Sequence, residues 1–392
     1  MLTQVVRNSL KHIAPLHTGV RALRRLKASQ RIAVSVIQGR ERTSGEPLSL
    51  LFTGNNEHRN YIVDLVFGGS ETDSNVTRVW KRNLPRHACA ADGGYQLAIM
   101  HSDTLPAGAI YSCDAFRIPC WVGGEKNLET AADFARRSEH IKSDVRRIRK
   151  HQLGYRVTCE RQAFDRFYHE MYLPYIRHVF GGHAFLMSYE AMQAAIPRCE
   201  LFLITHEGHD IAGGILVYDD TDCVRGWSLG VKDGDSQWVR IGALAAFEHL
   251  QTGYLQEKGY KRLHRGGSRP FLDDGALSFK KNRGMHITDS TRQSFTLLPL
   301  RDSVGIRAFL QNNPFIYDDM GVLKGAIFLP GQPAPDEDLS RLFRERYIAG
   351  LDSLTLFCLA DSQDRDLPGI RACGRLDDSG TLHVSSTTGK QL

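Results

Sequence analysis

No apolar run in this 392-residue sequence approaches the roughly 20 residues that a membrane-spanning helix needs. A fixed-period repeat, a low-complexity tract and a secretory apolar segment are missing as well. The eight cysteines, at 89, 113, 120, 159, 199, 223, 358 and 373, form no C-x-x-C pair, and no Cys/His set has zinc-ligand spacing. They read as reduced thiols, mostly in cores, of a cytoplasmic protein, and no metal is expected. There is no H-E-x-x-H and no Ser/His/Asp arrangement, which leaves zinc-protease and hydrolase readings without support. The first 40 residues contain no acid but eight Lys/Arg.

What is present points to a folded chain. With 42% hydrophobic and 24% charged residues the composition is globular, and the length allows two or three domains. The net charge of +6 is uneven, because residues 1–155 hold 23 Lys/Arg against 14 Asp/Glu. The first half is therefore the natural contact for a phosphate-bearing partner, set against the plainer reading of a solvated basic face. "GVRALRRLKA" places Val20, Leu23 and Leu26 on one helical face. Its composition fits a mitochondrial-type presequence, but the hydrophobic strand that follows directly favours a basic leading helix.

Strands are expected at 31–37, 48–52, 61–67 and 95–100, separated by Gly/Asn/Ser turns. A long helix is expected over 128–151, with a strand at 154–160. Then comes an aromatic helix carrying Phe164, Phe167, Met171 and Tyr175, which Pro174 should bend or end. Between 200 and 264 the pattern is strand, strand, strand, helix, strand. The first two form a hairpin flanked by His206 and His209, Gly259 caps the helix, and His264 lies at the last strand end. Residues 331–338 read as a linker, 352–361 as a strand, and the last dozen residues as polar and disordered. The expected architecture is a mixed α/β (α+β) sheet layer with flanking helices.

Two stretches carry candidate chemistry. In "SQWVRIGALAAFEHL" a strand end leads to a helix opening near Ile241 and Gly242, where unpaired amides, a glycine and Arg240 suit a phosphate. In "GGSRPFLDDGALSFKKNRG", Gly266 to Gly284, glycines, Pro270, paired aspartates and paired lysines make either a surface turn or a substrate loop. Lys280 suits a point contact with an oxyanion or a donor phosphate, and Asp274 could orient an amine or take its proton. The plain alternatives are a surface lysine paired with Asp273 or Asp274, and a turn aspartate before Gly275. The seven Lys/Arg of 136–150 read as a solvated helix face, or as a contact for a tRNA acceptor arm or a pyrophosphate-linked lipid.

The order of elements resembles the GNAT acyltransferase family. Arg240, Ile241, Gly242 and Ala243 stand where that family's Q/R-x-x-G-x-G/A turn holds the pyrophosphate of acetyl-CoA. The strand ending in Gly267, Ser268 and Arg269, then Asp274, Gly275, Phe279, Lys280 and Gly284, is similar to the FemAB-like branch, which includes CelD (BcsL)-type proteins and aminoacyl-tRNA-dependent transferases. The basic helix, the strand 154–160 and the aromatic helix agree, so the resemblance covers about 140–290. It implies two GNAT-like halves: a degenerate one over 1–140, the acyltransferase half over 141–300, and a C-terminal extension over 301–392. It also implies an N-acyltransferase that moves an acyl group from acyl-CoA to an amino group of a sugar or biosynthetic intermediate, a glycan-type amine acceptor included. Lys280 and Asp274 would be catalytic, Arg240–Ala243 would hold the donor, and Gly267, Ser268, Arg269 and Phe279 would line the acceptor side. The branch also admits aminoacyl-tRNA as donor. A non-catalytic scaffold on the same fold is the reading of another class.

Overall fold

The computed structural model describes residues 30–71, 73–90, 94–106, 115–181, 184, 186–330, 336–360, 369–377 and 379–384. The expected leading helix, the first part of the expected linker and the last eight residues lie outside them. In chain order the strands are β1 (Arg31–Arg40), β2 (Pro47–Thr53), β3 (Asp73–Trp80), β4 (Leu97–His101), β5 (Phe116–Pro119), β6 (Val122–Asn127), β7 (Gly154–Thr158), β8 (Cys199–His206), β9 (His209–Val217), β10 (Cys223–Val231), β11 (Arg262–His264), β12 (Met285–Ser290), β13 (Ser294–Pro299), β14 (Phe315–Asp319), β15 (Val322–Leu329), β16 (Leu354–Ala360), β17 (Gly369–Leu376) and β18 (Leu382–Val384). They form three sheets, ordered β3-β1-β2-β4-β13-β5, β12-β6-β11-β10-β9-β8-β7 and β14-β15-β16-β17-β18.

One motif recurs in all three. An antiparallel pair (β1/β2, β9/β10, β14/β15) feeds a helix, and the chain returns parallel to the second strand, as β4, β11 and β16. A parallel return needs a crossover, which the helices Ala243–Glu257 and Asp336–Arg346 supply; in the first sheet the helix Asn56–Phe67 is followed by β3, on the far side of β1, before the chain returns as β4. This is the expected mixed α/β architecture with flanking helices. The first sheet is closed late, because β13 arrives from beyond the second sheet to pair with β4 and β5.

The second sheet is covered on both faces, which explains its nearly continuous apolar strands. Along β8, Phe202 and Ile204 join the helix Ala243–Glu257, while Leu201 and Leu203 join the aromatic helix. That helix lies directly on β10. A Cβ at Gly230 would stand 2.6 Å from the backbone of Met171 and Tyr172, so only glycine fits there.

Five elements differ from expectation. The run 61–67 belongs to a helix, Asn56–Phe67. Asn55 caps it by accepting from the His58 N–H, Gly68 ends it in the left-handed region, and Ile62, Val63, Val66 and Phe67 are buried at helical spacing. The long basic helix is broken into Ala131–Arg137 and Glu139–Lys150, because Ser138 turns extended and caps the second piece. Pro174 does not end its helix. A π-helical turn, Phe167–Tyr172, precedes it, and Pro174 sits in the first turn of the next segment, Leu173–Phe180, where its missing N–H costs nothing. Asp336–Asp338 open a helix rather than continue a linker, and Leu382–Val384 form a strand. The cysteine reading also needs correction: Cys358 and Cys373, on neighbouring strands, form a disulfide with Cα atoms 5.9 Å apart.

Among the described residues no helix is long and apolar enough to cross a membrane.

Candidate active site

β10 and β11 pair over only three residues, Cys223–Arg225 with Arg262–His264. β10 then runs on to Val231 against β9, while the chain after β11 stays with β6 through Arg265 N–H to Gly124 O and a two-way bridge between Ser268 and Val122. Past Arg225 no backbone hydrogen bond among the described residues joins β10 to that segment. The sheet therefore opens as a wedge at Gly226 and Gly266, with a register shift in β10 at its mouth.

The stretch Gly266–Gly284 lies on the far side of this wedge, and it is not a surface turn. Ser268, Arg269, Pro270, Phe271 and Leu272 are all buried. The chain bonds Pro270 O to the Ile316 N–H and Leu272 N–H to Pro314 O, and Asp273 holds Arg346 in a two-pronged pair at 3.0–3.1 Å. Its second part is a helix, Gly275–Lys281, which composition did not suggest. Asp274 caps that helix by accepting from the Leu277 N–H at 2.9 Å, and burial pushes its carboxyl upward.

Lys280 turns back on the same loop. Its ammonium donates to Gly267 O at 2.9 Å, to Ser268 Oγ at 2.9 Å and to Gly266 O at 3.4 Å. Three donors thus meet three acceptors, and neither Asp273 nor Asp274 is the partner. Burial, with Arg265 adding like charge, lowers its pKa to about 8. Phe279 stacks under the Arg283 guanidinium at 3.7 Å, and Arg283 pairs with Asp144 at 2.5 Å. His264 Nδ1 accepts from the Gly266 N–H at 3.2 Å, and its Nε2 faces Asp289 Oδ1 at 3.6 Å.

Arg269 points away from the wedge into the first half. Its guanidinium is sandwiched between Tyr61 and Trp121, 4.0 Å from each ring, and contacts His58 Nδ1 and Cys120 O. Arg269→Ala is expected to lower stability by about 2–4 kcal/mol, since each buried cation–π contact contributes roughly 2 kcal/mol. Arg269→Lys should recover little, because an ammonium cannot stack flat between two rings. Urea unfolding of the three proteins checks both.

The turn Arg240–Ala243 differs most from expectation. A separate helix, Ser236–Ile241, stands between β10 and the long helix. Asp235 occupies its first turn, accepting from the Gln237 N–H at 2.8 Å. Gly242, at φ 101°, joins the two helices, and Arg147 packs so closely over it that a Cβ would stand 2.7 Å from Arg147 Cδ. Gly242 and Ala243 are buried, Ile241 is half-buried, and Arg240 is exposed.

The sequence reading missed a buried polar group beneath the wedge. Arg265 pairs with Glu248, both nearly inaccessible, and Lys126 donates to Thr252 Oγ1 at 2.9 Å. A signal existed. Ala245, Glu248, Thr252 and Leu255 recur at helical spacing on one buried face, so an acid there demands a counter-charge. Burial lowers the Lys126 pKa to about 8, as for Lys280. The unfolded chain keeps these protons up to about pH 10.4, so between about pH 8 and 9 it binds more protons and stability should rise with pH. The buried thiols of Cys120 and Cys199, raised to about 12 and about 11, pull the other way once the unfolded thiols ionise, from about pH 8.5. The check is therefore the difference between proteins: from pH 8 to 9 the urea midpoint of the parent should gain on that of Lys126→Met, and parallel pH profiles would contradict this.

A cavity of about 200 Å³ lies against the π-helical turn and the end of β10, with Phe167 and Met171 below and Arg166, Glu170, Asp210 and Lys232 around it.

No protein-family model matches the chain, and no curated protein sequence matches it. Solved structures do. FemX is similar at 12% identity and a TM-score of 0.36, covering 69% of this chain and 89% of that one. L-PGS from Bacillus licheniformis is similar at 10% identity and a TM-score of 0.32, covering 70% and 83%. A tandem GNAT protein from the clavulanic acid biosynthesis pathway is similar at 11% identity and a TM-score of 0.29, covering 67% and 82%.

Proposed function

We propose that the chain is a GNAT-type N-acyltransferase that carries an acyl group from acyl-CoA to an amino group of a sugar or biosynthetic intermediate. The parting of β10 from β11 carries this reading, because it leaves a strand edge free to bond an extended, amide-bearing donor arm. The reacting carbonyl then lies at the mouth of the wedge, beside the exposed Gly267. The Gly267 N–H is the donor for the developing oxyanion, and Lys280 polarises the same peptide from behind through Gly266 O. Asp274 serves by starting the helix that carries Lys280.

One observation favours aminoacyl-tRNA as donor. Arg147 covers Gly242 where a pyrophosphate would approach, while the helix Glu139–Lys150 offers Arg146, Arg149 and Lys150 to a nucleic-acid backbone. Thermal unfolding with acetyl-CoA, longer acyl-CoAs and total tRNA separates the two. The true donor at a hundredfold excess over Kd should stabilise the protein by about 2.7 kcal/mol. A shift with tRNA alone replaces the CoA reading, and no shift with any of them supports a non-catalytic scaffold.

A further inference from the structure

We infer that His58, His101 and Cys120 form a binding site for a thiophilic d10 cation, Zn2+ or Cu+, inside the first half of the protein. The three come from separate elements: the first turn of the helix Asn56–Phe67, the last residue of β4, and the residue after β5. All are buried, and one ligating atom from each lies within 4.8 Å of the other two. At bond lengths of about 2.0–2.3 Å, ligand atoms around such a cation stand roughly 3.3–3.8 Å apart. The set therefore needs to close by about 1 Å, and the His58 and His101 rings, stacked 24° from parallel, have to turn toward a common point.

A second observation points to the same place. Buried polar atoms are nearly always paired, yet His101 Nε2 is buried with no hydrogen-bond partner among the described residues. The other nitrogen of that ring is already engaged: Nδ1 accepts from the Asp103 N–H at 3.3 Å and lies 3.8 Å from the Asp103 carboxylate. As an acceptor Nδ1 carries no proton, so Nε2 holds the ring N–H; a cation binds Nε2 once that proton moves to Nδ1, beside the Asp103 carboxylate, and the Asp103 N–H contact is given up. Gln293 holds that carboxylate from the other side at 3.0 Å. Two imidazoles and a thiolate select soft or borderline ions and offer nothing to Mg2+ or Ca2+, which need oxygen ligands.

Charge decides between the two candidates. Arg269 stands 3.3 Å from His58 Nδ1. Cu+ with the Cys120 thiolate is neutral beside that guanidinium, whereas Zn2+ leaves one positive charge, so Cu+ is the better match. Because Arg269 donates to His58, a cation on that ring must displace this contact. Arg269 belongs to the loop that Lys280 clamps, so loading the site also loosens that loop's anchor in the first half.

The test uses the full chain, without a histidine tag, from cells grown with added zinc or added copper and purified anaerobically under reducing conditions. Elemental analysis should find about one equivalent of zinc or copper per chain. Cys120→Ala and His101→Gln should each lower it by about tenfold or more, with circular dichroism unchanged. Cys199→Ala, which removes a buried thiol elsewhere, should keep the metal. Refolding with Co2+ should give a thiolate-to-cobalt charge-transfer band that Cys120→Ala abolishes, which keeps the test open if one variant folds poorly in cells. Substoichiometric traces of both metals in the parent protein, or equal metal in the parent and both ligand variants, would overturn the site. Metal only from the copper culture would fix the ion as Cu+, and only from the zinc culture as Zn2+.

Discussion

Glu248→Gln should lower the free energy of unfolding by about 3–5 kcal/mol, the cost of leaving a buried charge without its partner. Glu248 faces Arg265 with both side chains almost fully enclosed, and Gln251 and Lys126 crowd the same space. Removing the carboxylate leaves Arg265 and Lys126 as like charges in a low dielectric. One guanidinium nitrogen of Arg265 already lacks a partner among the described residues, which raises the cost further. The double variant Glu248→Gln/Arg265→Met should recover much of the loss, since an apolar side chain of similar reach requires no counter-charge. Equal stability of the single variant and the parent in urea would mean that the pair is solvated in solution.

Lys280→Ala should leave the protein folded and reduce kcat/KM by about 10²–10³-fold, the usual loss when one oxyanion contact is removed. The expected cause is positional and electrostatic together. The ammonium binds three atoms of the loop Gly266–Ser268, so its removal frees the peptide proposed to meet the acyl oxygen. A second readout separates this from simple loosening. With a pKa of about 8, the ammonium is lost as pH rises through that value, so activity should fall on the alkaline side. Lys280→Arg should move that limb upward while keeping part of the rate. An unchanged limb in Lys280→Arg would assign it to another group, and near-normal activity in Lys280→Ala would remove Lys280 from the mechanism.

Much of the second sheet was legible because its signals are local. The hairpin at Glu207–Gly208, the strand Cys223–Val231 and the apolar face Leu244, Phe247, Leu250, Leu255 all follow from period and turn residues. The helix Asn56–Phe67 was missed because its β-branched and aromatic residues resemble a strand, and only the caps Asn55 and Gly68 say otherwise. The site was half legible. Lys280 and Ser268 were singled out and do meet, but the plain alternative, a Lys280–aspartate pair, does not form, and the fold gives the ammonium two carbonyls and a hydroxyl of its own loop. Arg269, taken as an acceptor contact, is consumed by Tyr61 and Trp121, more than a hundred residues away in the chain. His58, His101 and Cys120 meet only through the order of the first sheet, which no spacing rule encodes.

That sheet order also sets a timetable for synthesis. β4 is fully buried and sits between β2 and β13, while among the described residues β5 joins the sheet only through β13. When residue 119 leaves the ribosome, β4 therefore has an open apolar edge and β5 has no partner. Their strand is about 175 residues later, a wait of roughly 10–35 s at ordinary elongation rates. During it the second sheet, whose strands lie entirely between Val122 and Ser290, can complete itself first. Cutting the chain between the two sheets would make that interval permanent: the N-terminal piece would keep an unpaired strand edge and should aggregate rather than fold alone.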